Sequence, residues 1–142
     1  MLEWFIAALV GLAGYILKKI SLDPAADLRR VIDETAYLLA YHAPTILTPI
    51  SRTNETSDAA RDALRSNSAA LTAKLDGIWF YGGVQLLFLG KLPDSKAISN
   101  AAVTLRGLST HMHETGEEAI KSLDVIRNRV DKIQRLLKIE PR

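Results

Sequence analysis

The sequence predicts an all-α protein, with a single transmembrane helix at the amino terminus followed by a helical bundle that closes in a long helix or a helix pair. Three observations predict it. Trp4 to Leu17 is an apolar run of fourteen residues without a charge. Beyond it, apolar residues recur at three- and four-residue steps, the spacing of a helix buried on one face. Over the last third, two apolar rows repeat every seven residues. Composition agrees with one ordinary domain carrying an apolar surplus: 142 residues, 48% hydrophobic and 24% charged, with a mean hydropathy of +0.06. A net charge of +2 is too balanced for a dedicated nucleic-acid protein. The absence of cysteine excludes disulfides, thiolate catalysis and cysteine-held metals.

Residues 1–22 form the expected anchor and 23–142 a cytoplasmic helical bundle. At 1.5 Å per residue the uncharged run gives about 21 Å, short of the roughly 30 Å hydrocarbon core, so its flanks must contribute. Trp4 and Tyr15 stand where interfacial aromatics belong, and Lys18 and Lys19 can snorkel, so a helix from Leu2 to Ile20 or Leu22 would span with little tilt. A cleaved signal peptide fits poorly, because the lysines follow the apolar stretch instead of preceding it. An interfacial helix would need a polar face that this stretch lacks, which leaves a buried bundle helix as the rival. No Lys or Arg precedes the run, whereas Lys18, Lys19, Arg29 and Arg30 follow it, so the positive-inside rule places the body in the cytoplasm. Ala7, Gly11 and Gly14 make a small-residue stripe at which a second helix could approach.

Asp23-Pro24 starts a second helix, since Asp accepts from unpaired amides and Pro at the first position loses no hydrogen bond. Leu28, Val31, Ile32, Thr35, Leu38, Leu39 and His42 form its buried face until Ala43-Pro44 stops it. Pro44 to Asn54 reads as a loop, with Ile46, Leu47 and Ile50 available to tuck under the bundle. Thr53, Asn54 and Ser57 are capping candidates for a third helix with Ala60, Leu64, Leu71, Leu75 and Ile78 in one stripe, which Asn67 and Ser68 interrupt. Gly77 to Leu92 is a second apolar segment, broken by Gly82-Gly83. A short helix packed on the bundle or dipping into the inner leaflet is expected there, with a second transmembrane pass as the alternative.

After Pro93 and the caps Asp94 and Ser95, one row runs through Ile98, Leu105, Met112, Ala119, Ile126 and Ile133. The other runs through Ala102, Ser109, Gly116, Leu123, Val130 and Leu137. Unbroken phase argues for one helix from Lys96 to Lys138, or for two helices in phase with a break at His113-Glu114-Thr115-Gly116. Leu108, Ile120 and Leu136 flank the rows, so the face is broader than a two-stranded coiled-coil seam.

Catalytic and metal chemistries find little purchase. His111 and His113, two apart, point about 200° from each other on a helix; His113 with Glu117 is better spaced but makes only two ligands. His42, on an apolar face, reads as a hydrogen-bonded core histidine. Neither a nucleophile elbow nor a P-loop is present, and the carboxylates fall on wet faces, so no enzyme, cofactor or small-molecule substrate is expected. From Lys121 onward seven basic residues face three acidic ones, without the aromatics that base stacking needs, which reads as a solvated face without nucleic-acid binding.

With Ile78-x-Phe80-Tyr81 before the hydrophobic break and Leu105-x-Gly107-Leu108-Ser109 in the following helix, the segment from Leu64 to Ser109 resembles a group of small bacterial proteins with an amino-terminal membrane segment. The resemblance implies a bacterial inner-membrane setting and a helical body, and it carries no activity. The expected role is therefore contact: an accessory subunit, scaffold or homo-oligomerising module bound to lipid through the anchor residues Trp4, Gly11, Gly14, Tyr15, Lys18 and Lys19. Leu123, Ile126, Val130, Ile133 and Leu137 are its expected packing or partner face. The alternative is a membrane-active toxin or lysis-related protein in which 77–92 also inserts.

Overall fold

Each stretch with helical apolar spacing folds as expected in kind, and the differences lie at the junctions. The computed structural model describes residues 1–19, 23–49, 52–78, 81, 85 and 92–139, and among them there are six helices and no strand. They are α1 (Leu2–Leu17), α2 (Asp23–Tyr41), α3 (Ala43–Leu47), α4 (Asn54–Asp76), α5 (Ser95–Ser109) and α6 (Gly116–Leu136).

The centre of the bundle is α4, which packs against α2, α3 and α5, while α6 packs on α5 and α3. Its start is a capping box: Thr53 accepts from the Thr56 amide, and the Thr56 hydroxyl accepts from the Thr53 amide. Ala60, Leu64 and Leu71 then reach the core with no exposure. Leu28, Val31, Ile32 and Leu39 of α2 and Ile98, Leu105 and Leu108 of α5 close on them. The two residues that interrupt the α4 stripe are buried clasps. Thr35 of α2 donates its hydroxyl to the Asn67 side-chain oxygen, and the Ser68 hydroxyl donates to the Ala102 carbonyl at 2.6 Å. A buried polar group with a partner adds a modest net stabilisation, but orphaning one costs about 1–3 kcal/mol, so these pairs fix which faces of α2, α4 and α5 meet.

Three sequence expectations are revised or resolved. First, the segment after Tyr41 is not loop throughout. Pro44, read as a stop, sits in the first turn of α3, where it loses no hydrogen bond, and Ile46 is buried there. Second, of the two arrangements left open for the carboxyl-terminal third, one helix or a pair broken at His113-Glu114-Thr115-Gly116, the structure takes the pair. Thr110 caps α5, residues 110–115 turn, and Gly116 opens α6 at φ +66°, a left-handed conformation that glycine takes without penalty. The heptad rows stay in phase across the break because Met112, inside the turn, is as fully buried as Ile98, Leu105, Ala119, Ile126 and Ile133. Third, among the described residues no helix is long and apolar enough to cross a membrane. With 16 residues α1 is about 24 Å long against the roughly 30 Å core, and the extension expected through Ile20 to Leu22 lies outside the described residues. The structure therefore lends no support to the expected transmembrane helix. The expectation for Gly77 to Leu92 likewise falls mostly outside the described residues.

Candidate functional site

The first feature that packing does not explain is α1. Every one of its residues is exposed and none is buried, including Trp4 at 83% and Phe5 at 66%. Contiguous apolar surface on this scale marks a contact surface. Gly11 and Gly14 face open space, where an added Cβ would meet nothing within 4 Å. At the carboxyl end the Lys19 ammonium lies 5.7 Å from the Tyr15 ring centroid, a cation–π contact, with Lys18 exposed beside it. Trp4 and the Tyr15, Lys18 and Lys19 group thus mark the two ends of the apolar stretch.

The residues expected as a packing or partner face differ in burial. Ile126 and Ile133 are fully buried and Leu137 is 2% exposed, so the chain's own core uses them. Leu123 and Val130 are half-buried. The large apolar residues that α6 leaves exposed are Ile120 and Val125, one on each flank of the buried row.

A polar knot holds the turn between α5 and α6. Arg52, just before α4, donates through Nε to the Thr45 carbonyl (2.7 Å) and through Nη2 to the Ile46 carbonyl (3.0 Å). Its Nη1 serves the carbonyls of His111 (3.0 Å) and Glu114 (2.9 Å). One planar guanidinium therefore satisfies carbonyls at the end of α3 and in the turn at once, which an ammonium could not. His111 Nε2 lies 2.9 Å from Arg129 Nη1, and its Nδ1 lies 2.6 Å from Glu114 Oε1. Since arginine only donates, Nε2 accepts and the ring proton sits on Nδ1, pointing at the carboxylate. The Arg129 guanidinium reaches this position by lying against Gly107, where a Cβ would stand 3.1 Å from Nη1. Burial alone would raise the Glu114 carboxyl, but hydrogen bonds from Ser122 and His111 with the nearby positive charge of Arg52 outweigh it and hold it below its ordinary value. Burial also pulls the Arg52 guanidinium down, offset in part by Glu114.

His111 and His113 lie in the turn, not on a helix as expected, and His113 has a separate partner, Asp58 of α4 at 3.0 Å. Among the described residues no group of three metal-ligating side chains comes together. The knot is a structural clasp with its ring nitrogens occupied.

The second unexplained feature is a cleft of about 380 Å³ between α2 and α4. Tyr37 and Tyr41, one helical turn apart, stack with centroids 5.8 Å apart and stay 70% and 67% exposed. His42 meets Tyr41 edge-on at 86°. It is half-buried at this cleft, not enclosed in the core as its spacing suggested, and burial lowers its pKa and keeps the ring neutral. Ala63, Asn67 and Ala70 of α4 complete the floor, with Glu34 and Ser66 among the remaining lining residues. Sequence reasoning placed Tyr37 and Tyr41 nowhere; their signal was two large aromatics at i, i+4 just outside the buried stripe of α2.

The chain matches no protein-family model, no curated protein and no solved structure. The functional reading therefore rests on the surfaces just described.

Proposed function

We propose that this is a membrane-associated helical protein in which α1 embeds in lipid and holds the bundle at the cytoplasmic face of a bacterial inner membrane, where it works through protein contacts as an accessory, scaffolding or oligomerising subunit. The observation that carries the reading is the total exposure of an apolar helix in a chain whose other described helices each bury residues. Water-exposed apolar area costs about 25 cal/mol per Å², and lipid removes that cost without demanding a shaped partner. Glu3, Trp4 and Tyr15 to Lys19 supply the polar and interfacial ends that such a helix needs. The short length of α1 is accommodated by local thinning of the bilayer and by lysine side chains that extend to the headgroups.

Flotation on a density gradient tests the reading. The full chain should float with phosphatidylcholine vesicles, and the double substitution Ala8→Arg, Leu9→Arg should leave it at the bottom of the gradient, each central arginine costing about 2.5–3.5 kcal/mol in a spanning helix. Both residues are exposed in α1, so the bundle should keep its helical circular dichroism. Equal flotation of the two chains would refute the reading. Vesicles that retain a trapped dye during the same experiment favour a scaffold; leakage favours the membrane-active alternative.

A further inference from the structure

The α2–α4 cleft combines three features. Its volume of about 380 Å³ falls at the small-ligand end of the range for binding pockets. Aromatic rings form one side: the stacked Tyr37 and Tyr41, interplanar 22°, and His42 set at 86° to Tyr41, so that two rings make a right-angled corner. Its charge is one-signed among the described residues, since Glu34 contributes a carboxylate and no described Lys or Arg lines the space.

A tyrosine ring presents a negative face, and a cation within about 6 Å of its centroid is attracted to it. Aromatic corners with a carboxylate at hand suit an alkylated ammonium, whose methyl groups tolerate the apolar floor while its charge is spread over them. Among the described residues Glu34 pairs with Arg30 at 3.8 Å, with both side chains more than half exposed, so it is readily shared with an incoming cation. Anions find no counter-charge in the cleft, and a neutral apolar guest would leave Glu34 unused.

We propose that this cleft is a binding site for a small organic ammonium group, of the quaternary or methylated kind, held between the tyrosine rings and the Glu34 carboxylate. The inference does not depend on the reading of α1. Such a group is available as a free amine or as the headgroup of a choline lipid, and the chemistry of recognition is the same for both.

The test is NMR titration of the full chain, solubilised in a maltoside detergent and carrying 13C-labelled tyrosine, with tetramethylammonium and choline at constant ionic strength. The neutral isostere 3,3-dimethylbutan-1-ol, which replaces the charged nitrogen by carbon, is the control. The expected result is saturable movement of the Tyr37 and Tyr41 ring signals with both cations and binding of the neutral alcohol about tenfold weaker. Glu34→Gln should weaken cation binding about fivefold, and Tyr41→Ala should do so at least as much. Because Glu34, Tyr37 and Tyr41 are exposed, these substitutions leave the core intact, which unchanged methyl signals from Leu64 and Leu105 would verify. Glycerophosphocholine separates the two sources: tighter binding than choline assigns a lipid headgroup, weaker binding a free amine, and either supports the site. Absence of saturable shifts with the cations, or equal binding of the neutral isostere, would overturn it.

Discussion

Arg52 carries more of the architecture than any other single polar side chain described, because its fork holds four carbonyls from two separated segments. Arg52→Lys keeps the charge and loses the geometry. It should lower unfolding free energy by about 2–3 kcal/mol, read from the midpoint of a urea transition, since hydrogen bonds to a charged group are worth about 1.5–3 kcal/mol each and a lysine recovers only part of them. Acid should loosen the same region. The Glu114 carboxyl is depressed in the folded chain, so its contribution is present above the ordinary glutamate range and lost as pH falls through its folded pKa. His42 is likewise depressed, so the unfolded chain binds its proton first, and stability declines as pH falls below about 6.5. Stability should therefore fall in two stages on acidification, and His42→Gln should abolish the upper one. Little of this was legible in the sequence. An arginine in a Pro/Thr-rich connection has no periodicity to mark it, and its partners are main-chain atoms that any residue carries. Asn67 and Ser68 were visible as departures from the α4 stripe, but only the fold shows that each departure meets a hydrogen-bond partner on a neighbouring helix. Tyr81 is a similar case: its hydroxyl donates to the Pro93 carbonyl, and burial, reinforced by Asp94, pushes its pKa up to about 12, which keeps the donor protonated.

At the scale of the element, apolar spacing identified the helical stretches of the body well, because burial on one face is what that spacing encodes. It left one helix or two open at the α5–α6 turn, and the structure shows two. A buried Met112 fills the core from a non-helical segment, so the seven-residue rows continue through a break that hydrogen bonding alone reveals. The sequence signal for the break was the His113-Glu114-Thr115-Gly116 stretch, and Gly116 within it has a positive φ that an L-residue adopts at a cost. Gly116→Ala should lower stability by about 1 kcal/mol through backbone strain alone, since an added Cβ meets no neighbour within 4 Å. Thermal unfolding followed by circular dichroism would register it; an unchanged midpoint would mean that the turn relaxes without strain. At Gly107 the constraint is different: an added Cβ would stand 3.1 Å from Nη1 of Arg129, whose guanidinium must give by a few tenths of an ångström beside its contact with His111. The expected partner face on α6 also belongs at this scale. Heptad spacing cannot distinguish a seam for another chain from the chain's own core, and Ile126, Ile133 and Leu137 belong to the core.

At the scale of the whole molecule, the described residues form a bundle centred on α4 and an apolar helix, α1, without a buried residue. That α1 differs from the other helices was legible in its fourteen uncharged residues. What it embeds in was not, since an all-apolar helix satisfies the same pattern whether it enters lipid or a core. The structure narrows this by leaving the helix outside the bundle's core. Its length falls short of a bilayer's hydrocarbon thickness. The central claim is that α1 resides in lipid, and Trp4 reports on it directly. In a Trp79→Phe chain, which leaves Trp4 as the sole tryptophan, emission should shift to the blue on addition of vesicles and be quenched by lipids brominated on their acyl chains. Emission that stays at the wavelength of water-exposed tryptophan, unquenched by those lipids while the bundle remains folded, would contradict the account.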